Sequence, residues 1–257
     1  MTSLFNLHRV SKSYGSTQAL APLDLTVREG NSLGIIGESG SGKTTLTRLM
    51  LGLSRPTSGT VTYRGEEVAA GVRGPSRLRR EVQLVLQDPF ASLNPRMTIG
   101  QIIAEPLRIL KIAGDKRERV AEVLTMVDLD PTWASRRPHQ LSGGQRQRVA
   151  IARAIAPAPK VIIADEPVSA LDVSVRVHIL ELLQRLREEN QVTLIVVSHD
   201  LGIVQNLCGE TMVLFSGNCV EHRPTPQLLA DPRNPATREL IAAVPDLPES
   251  VMEQENR

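Results

Sequence analysis

One octapeptide restricts the folds open to this chain more than any other stretch: Gly37-Glu38-Ser39-Gly40-Ser41-Gly42-Lys43-Thr44. It fits the pattern G-x-x-x-x-G-K-S/T, with the apolar run LGII before it and a helical pattern after it. The glycines let the backbone curl with its N–H groups pointing inward, and the helix that follows offers its positive N-terminal end to the same anion. Lys43 adds a mobile positive charge near the β and γ phosphates, and the Thr44 hydroxyl can ligate magnesium. Thr45 completes the candidate phosphate contacts. Such a loop needs a strand, a turn and a helix in that order, and it binds ATP or GTP.

The rest of the chain supplies matching elements. β-rich runs recur at Leu4 to Val10, Asn31 to Ile36, Gln83 to Leu86, Val161 to Ala164, Thr193 to Val197 and Met212 to Phe215. Several are apolar throughout, as strands covered on both faces should be. Between them lie helix patterns at Lys43 to Leu51, Ile99 to Leu110, Lys116 to Val127, Gly144 to Ala156 and Val173 to Glu188, bounded by glycine, proline or aspartate. This alternation predicts an α/β core. From about Pro89 to Ser142 helices appear without a convincing strand, so that stretch reads as a helical insertion. Beyond Arg223 repeated prolines allow only a short helix or two and a frayed tail.

VIIADEP, residues 161 to 167, sets Asp165 and Glu166 just past an apolar strand. In parallel sheets that carboxyl edge is where ligands bind. Asp165 there can hold magnesium, directly or through water, and Glu166 can orient the water that attacks the γ phosphate. A second helix start, Leu141-Ser142-Gly143-Gly144-Gln145, offers a serine cap and two glycines that permit close approach of another anion.

LSGGQ some twenty residues before ADEP, with GESGSGKT about a hundred residues earlier, resembles the nucleotide-binding domain of ATP-binding-cassette (ABC) proteins along nearly the whole chain. The resemblance implies a P-loop NTPase core with a mainly parallel sheet, an N-terminal antiparallel β subdomain and a helical insertion subdomain. Residues 1–245 would form the domain, with the insertion at about 89–142 and a flexible tail at 246–257. The signature Ser142 to Gln145 of one subunit would then close on a triphosphate held by the phosphate loop of a second. Other positions follow from the resemblance alone. Tyr14 stands where an aromatic ring stacks on adenine, and Gln87 where a glutamine senses magnesium and the attacking water. Ser169-Ala170-Leu171-Asp172 matches the loop that crosses the dimer interface, and His199 the switch histidine at the γ phosphate.

Three longer stretches, QDPFASLNPRMTIGQIIAEPL, PHQLSGGQRQRVAIARAI and ADEPVSALDVSV, are similar to the oligopeptide, dipeptide and nickel importer ATPases. That likeness implies ATP and Mg2+ as ligands and a second ATPase subunit, identical or related. It also implies two membrane permeases, served by an extracytoplasmic solute-binding protein. In that branch aromatic residues are usual where Arg137 and Ala236 stand here.

Composition narrows the alternatives. With 30 basic and 28 acidic side chains the formal charge is +2, which gives no electrostatic reason to expect a nucleic acid. Cys208 and Cys219 lack metal-ligand spacing, so neither a disulfide framework nor a zinc site is expected. The first residues do not read as a secretory signal, and no run approaches the roughly 18 apolar residues of a spanning helix. The expected place is therefore peripheral, on the cytoplasmic face of the cell membrane. An exporter cassette, a soluble cassette acting on nucleic acid and a protein that binds ATP without hydrolysing it are the rival readings. Intact Gln87, Glu166 and His199 argue against the last.

Overall fold

The computed structural model describes residues 2–71, 76–88, 92–169 and 171–243. The proposed tail 246–257 and the start of the proposed insertion, Pro89 to Ala91, lie outside them.

Among the described residues ten strands form two sheets. β1 (Ser3–Tyr14), β2 (Thr17–Arg28), β4 (Ser58–Tyr63) and the two-residue β5 (Glu66–Glu67) make an antiparallel sheet in the order β2-β1-β4-β5. The second sheet has the order β10-β9-β3-β8-β7-β6, from β3 (Ser32–Ile36), β6 (Val82–Val85), β7 (Val161–Asp165), β8 (Thr193–Ser198), β9 (Glu210–Phe215) and β10 (Asn218–Pro224). Its strands run parallel except for the β9–β10 hairpin at one edge.

The helices are α1 (Lys43–Met50), α2 (Ser76–Glu81), α3 (Ile99–Ile109), α4 (Lys116–Met126), α5 (Gly143–Ile155), α6 (Val173–Asn190), α7 (Leu201–Leu207), α8 (Thr225–Ala230) and α9 (Pro235–Ala242). Two 3₁₀ turns, Pro131–Ser135 and Pro138–Gln140, connect α4 to α5. No helix of the described residues is long and apolar enough to cross a membrane.

The unbroken apolar runs of the central strands have a simple cause. Val161 and Ile163 of β7 point into one buried cluster, shared with α1 and the antiparallel sheet. Ile162 and Ala164 point into the other, shared with α3 to α7. A strand clad on both faces needs apolar residues at every position, whereas β2 shows solvent every second residue and buries only Leu23, Leu25 and Val27 along its second half.

The elements named from sequence appear within a residue or two of their expected bounds, except that β1 runs on to Tyr14, four residues past the expected Val10, and β2, β4, β5 and β10 add pairing that no single run announced. Pro22 explains why β2 escapes detection. A proline cannot donate to a sheet ladder and reads as a break, yet β2 is an edge strand, where proline is tolerated.

The α3–α4 region is fixed by caps and ion pairs. Thr98 and Gln101 form a capping box at the start of α3, and Asp115 caps α4. At the far end of α4, Asp128 accepts from Arg148 of α5 at 2.8 Å and from Arg185 of α6 at 3.0 Å. These bonds tie the helical stretch to the two helices that flank the site.

Candidate functional site

Four adjacent parallel strands release their chains at one edge. Register pairs Ile36 of β3 with Ser198 of β8, and Asp165 of β7 with Val197 of β8. The residues just beyond, Gly37, His199 and Glu166, therefore emerge side by side, with Gln87 following neighbouring β6. Sites in open α/β sheets form at such carboxyl edges.

The phosphate loop fills the space between β3 and α1. Its last glycine, Gly42, is the N-cap of α1 with φ +107° and gives no side-chain cap. A Cβ there would sit 2.8 Å from the Ala19 carbonyl oxygen of β2, so both conformation and space call for glycine. Among the described residues, the amides of Gly40, Gly42, Lys43 and Thr44 donate to no carbonyl or side chain. These unspent donors at a helix N-terminus form an anion cradle. Lys43 Nζ meanwhile donates to the carbonyls of Gly37 at 2.5 Å and Glu38 at 2.8 Å. Burial lowers the Lys43 pKa below the ordinary ammonium value, against the pull of Glu166, Asp165 and Glu38. A phosphate would relieve that penalty.

Opposite stand the two acids. Burial and the adjacent Glu166 push the Asp165 carboxyl above its ordinary value, while Lys43 and Arg48 act the other way. Glu166 takes φ +49° and its N–H donates to the Val197 carbonyl at 2.8 Å, which turns its side chain toward β8. There Glu166 Oε1 accepts from the His199 amide at 3.1 Å and lies 2.7 Å from His199 Nδ1. An ionised carboxylate only accepts, so Nδ1 carries the proton, and Nε2 of this imidazole, 64% exposed, has no partner among the described residues.

These groups surround an open cleft of about 360 Å³. Its walls are Ser39, Gly40, Gly42, Lys43, Thr44 and Thr45 on one side and Gln87, Asp165, Glu166 and His199 on the other. Ala19 of β2 adds a further wall, a residue whose sequence carried no chemical signal. Gly37, Glu38 and Ser41 belong to the loop but do not line the cleft. Ser41 is buried, and its hydroxyl has no hydrogen-bond partner among the described residues. The Thr44 hydroxyl, the Gln87 amide oxygen and the Asp165 carboxylate are hard oxygen donors of the kind magnesium takes. The raised Asp165 pKa marks a buried negative pair that a divalent cation would neutralise.

Other sequence-named residues stand elsewhere. Tyr14 ends β1, about half exposed, with the Lys12 ammonium 5.0 Å from its ring centroid. It does not line the cleft. Ser142 is the N-cap of α5 in a complete capping box: its Oγ accepts from the Gln145 amide at 3.3 Å, and Gln145 Oε1 accepts from the Ser142 amide at 3.0 Å. The two glycines between them differ. Gly143 is partly open, with only Leu171 Cδ2 at 3.7 Å from a notional Cβ, whereas a Cβ on buried Gly144 would strike Val175 Cγ1 of α6. Gly144 thus has a packing reason of its own. Asp172 is the exposed N-cap residue of α6, with no capping bond from its side chain. Neither Ser142 to Gln145 nor Asp172 lines the cleft, and Ala170 lies outside the described residues.

Comparison with known proteins agrees with this geometry. The family profile described as ABC transporter matches residues 20–169. A putative peptide import ATP-binding protein of Brucella ovis is 41% identical over 251 residues, covering 95% of this chain and 79% of the relative. A dipeptide transport ATP-binding protein of Haemophilus influenzae is 42% identical over 233 residues, covering 90% of this chain and 71% of the relative. Among solved structures, the dimeric post-hydrolysis state of the ATP-binding cassette MJ0796, bound to ADP and Pi, superposes with a TM-score of 0.76 at 32% identity, covering 86% of this chain and 99% of that one. With the phosphate loop, the acidic strand end and the fold in agreement, the chain belongs to the ABC transporter family as one of its ATP-hydrolysing subunits.

Proposed function

We propose that this chain powers the import of peptides through partner permeases, and that it works as half of a pair of cassettes. The cleft at the carboxyl edge carries the proposal. It gathers an anion cradle, a lysine, two acids and a histidine, yet it leaves the second helix start, at Ser142, outside. A site completed from a second cassette is the arrangement that uses both. Support comes also from the relatives, which are named as peptide and dipeptide import proteins, and from the dimeric state of the solved cassette.

In this reading the α1 amides and Lys43 bind the β and γ phosphates, and Glu166 holds and polarises the attacking water. His199, its Nδ1–H donating to Glu166, keeps that carboxylate oriented and turns Nε2 toward the γ phosphate. Magnesium, held by Thr44, Asp165 and Gln87, would supply charge neutralisation at the β and γ oxygens. Tyr14 stacks on adenine, and Asp172 belongs to the segment that meets the second cassette. Ser142 and Gly143 of the second cassette close over the phosphates, so ATP binds the closed pair better than ADP does, and hydrolysis reopens it. The helical stretch 89–142 carries this motion to the permeases. The chain accordingly sits at the cytoplasmic face of the membrane, and the solute-binding protein is met only indirectly.

Replacing Glu166 with Gln keeps the shape of the water-holding side chain but removes its charge. The expected result is a fall in turnover of more than about 100-fold, a typical general-base contribution, with ATP still bound and a nucleotide-trapped pair that wild type does not accumulate. Size-exclusion chromatography with magnesium and ATP, alongside phosphate release, reads both. Undiminished hydrolysis would remove Glu166 from its role, and failure to pair in the presence of its companion subunits would end the shared-site reading.

A further inference from the structure

The helix that begins at the signature, α5, lies along the segment leading away from the catalytic carboxylate, and three contacts space that packing. Gln147 meets Pro167, Gly143 faces Leu171 and Gly144 abuts Val175. Gly144 and Gln147 are three residues apart and so share one helix face. Gln147 is completely buried. Its Nε2 donates to the Pro167 carbonyl at 2.8 Å, while its Oε1 has no partner among the described residues. A fully buried glutamine with one satisfied and one orphaned end is a costly side chain to keep, since its own oxygen stays unpaired. Its single bond nevertheless lands on the carbonyl of Pro167, the residue after Glu166, whose own φ of +49° turns its carboxylate to His199.

We infer that Gln147 is a positioning residue for Glu166, coupling the signature helix to the catalytic carboxylate of the same chain. The inference rests on the shared-site reading above. The signature of one chain touches the triphosphate in its neighbour's cleft, while the Glu166 of that chain serves its own cleft. A displacement of α5 on closure at one site is therefore delivered, through Gln147 and the Pro167 carbonyl, to the acid at the other. The bond also supplies Pro167 O with a donor; its carbonyl accepts no backbone amide among the described residues.

The test is Gln147→Met, which keeps length and volume but can make no such bond, in the full-length chain assembled with its companion subunits. The substitution removes the orphaned oxygen but leaves the Pro167 carbonyl without its donor, two effects that oppose each other, so the melting midpoint should fall no further than in a packing variant, while kcat falls at least fivefold and the KM for ATP stays within twofold. Ile151→Val, one turn further along the buried part of α5, loosens packing without touching the bond and should keep kcat within twofold even if it lowers the melting midpoint. If Gln147→Met is unstable, Gln147→Leu offers the same comparison with a smaller apolar chain. Wild-type kcat in Gln147→Met, or a loss of kcat that Ile151→Val reproduces, would overturn the coupling. That result in a protein whose Glu166→Gln form still traps a pair strikes the inference alone; a Glu166→Gln form that never pairs removes the shared site and the inference with it.

Discussion

Two helices of this chain start with a glycine-rich sequence, and the two starts are capped differently. α1 begins at Gly42 with no side-chain cap and with the surrounding amides unspent. α5 begins at Ser142 with a capping box in which serine and glutamine already serve each other's amides. The first is a receptor built within the chain, since its donors wait for an anion that the same cleft can hold. The second has its cap filled by Ser142 and Gln145, keeps the Gly143 and Gly144 amides without an acceptor among the described residues, and lies outside that cleft, so it is suited to being brought against a phosphate already bound. Helix dipole and glycine content are similar in the two; what differs is the side-chain cap, absent at α1 and filled at α5, and the cleft of its own chain that α1 alone faces.

Removing the cradle's mobile charge should expose the contrast most strongly. In Lys43→Ala the loop keeps its unspent amides but loses the ammonium that now bridges Gly37 and Glu38. A hydrogen bond to a charged group contributes about 2–3 kcal/mol, so ATP affinity of the isolated chain should fall roughly 100-fold, measured by nucleotide titration. If affinity were unchanged, the cradle would not be the receptor, and the difference between the two helix starts would lose its meaning.

Ser142→Ala addresses the other start and should act on different quantities. Loss of the cap should lower stability by about 1 kcal/mol, read by denaturant unfolding. ATP affinity of the isolated chain should not move, because α1 is untouched, while turnover of the assembled transporter should drop about tenfold, or about 1.4 kcal/mol. Weakened ATP binding in the isolated chain would mean that α5 belongs to the resident cleft after all. Turnover equal to wild type would reduce Ser142 to a helix cap.

How much of this was legible in the sequence depended on distance along the chain. The phosphate loop, the DE pair and LSGGQ are local patterns, because a tight turn between a strand and a helix leaves few residue choices, and the structure brings the loop, Gln87, Asp165, Glu166 and His199 to one cleft. The Glu166–His199 pairing spans 33 residues and exists only because β7 and β8 are neighbours in register, which no run of residues announces. Ser142-x-x-Gln145 did carry a capping-box signal that would have shown the serine to be occupied. Gln147 carried none: a glutamine within a helical pattern reads as solvent-facing until the Pro167 carbonyl is known to lie beneath it. β2 was hidden by Pro22 for the reason that edge strands admit proline.

The smallest effect, and the one that reverses sign, belongs to Asp165. Burial beside Glu166 holds its folded carboxyl above the ordinary 3.8, so ionising it opposes folding. Stability from this group is full below the unfolded pKa and is lost as pH rises through the folded one, and at neutral pH the nucleotide-free chain carries the whole penalty. Asp165→Asn removes the charge without changing the shape, so its nucleotide-free form should melt slightly above wild type at pH 7, with the gain shrinking as pH falls through the carboxylate range. With ATP the order should invert once magnesium is added, because wild type gains a cation-binding carboxylate that the amide cannot replace. Melting curves at several pH values, with and without ATP and magnesium, read all of this. A nucleotide-free Asp165→Asn chain that melts below wild type at pH 7 would show the carboxylate already compensated in the cleft without its nucleotide.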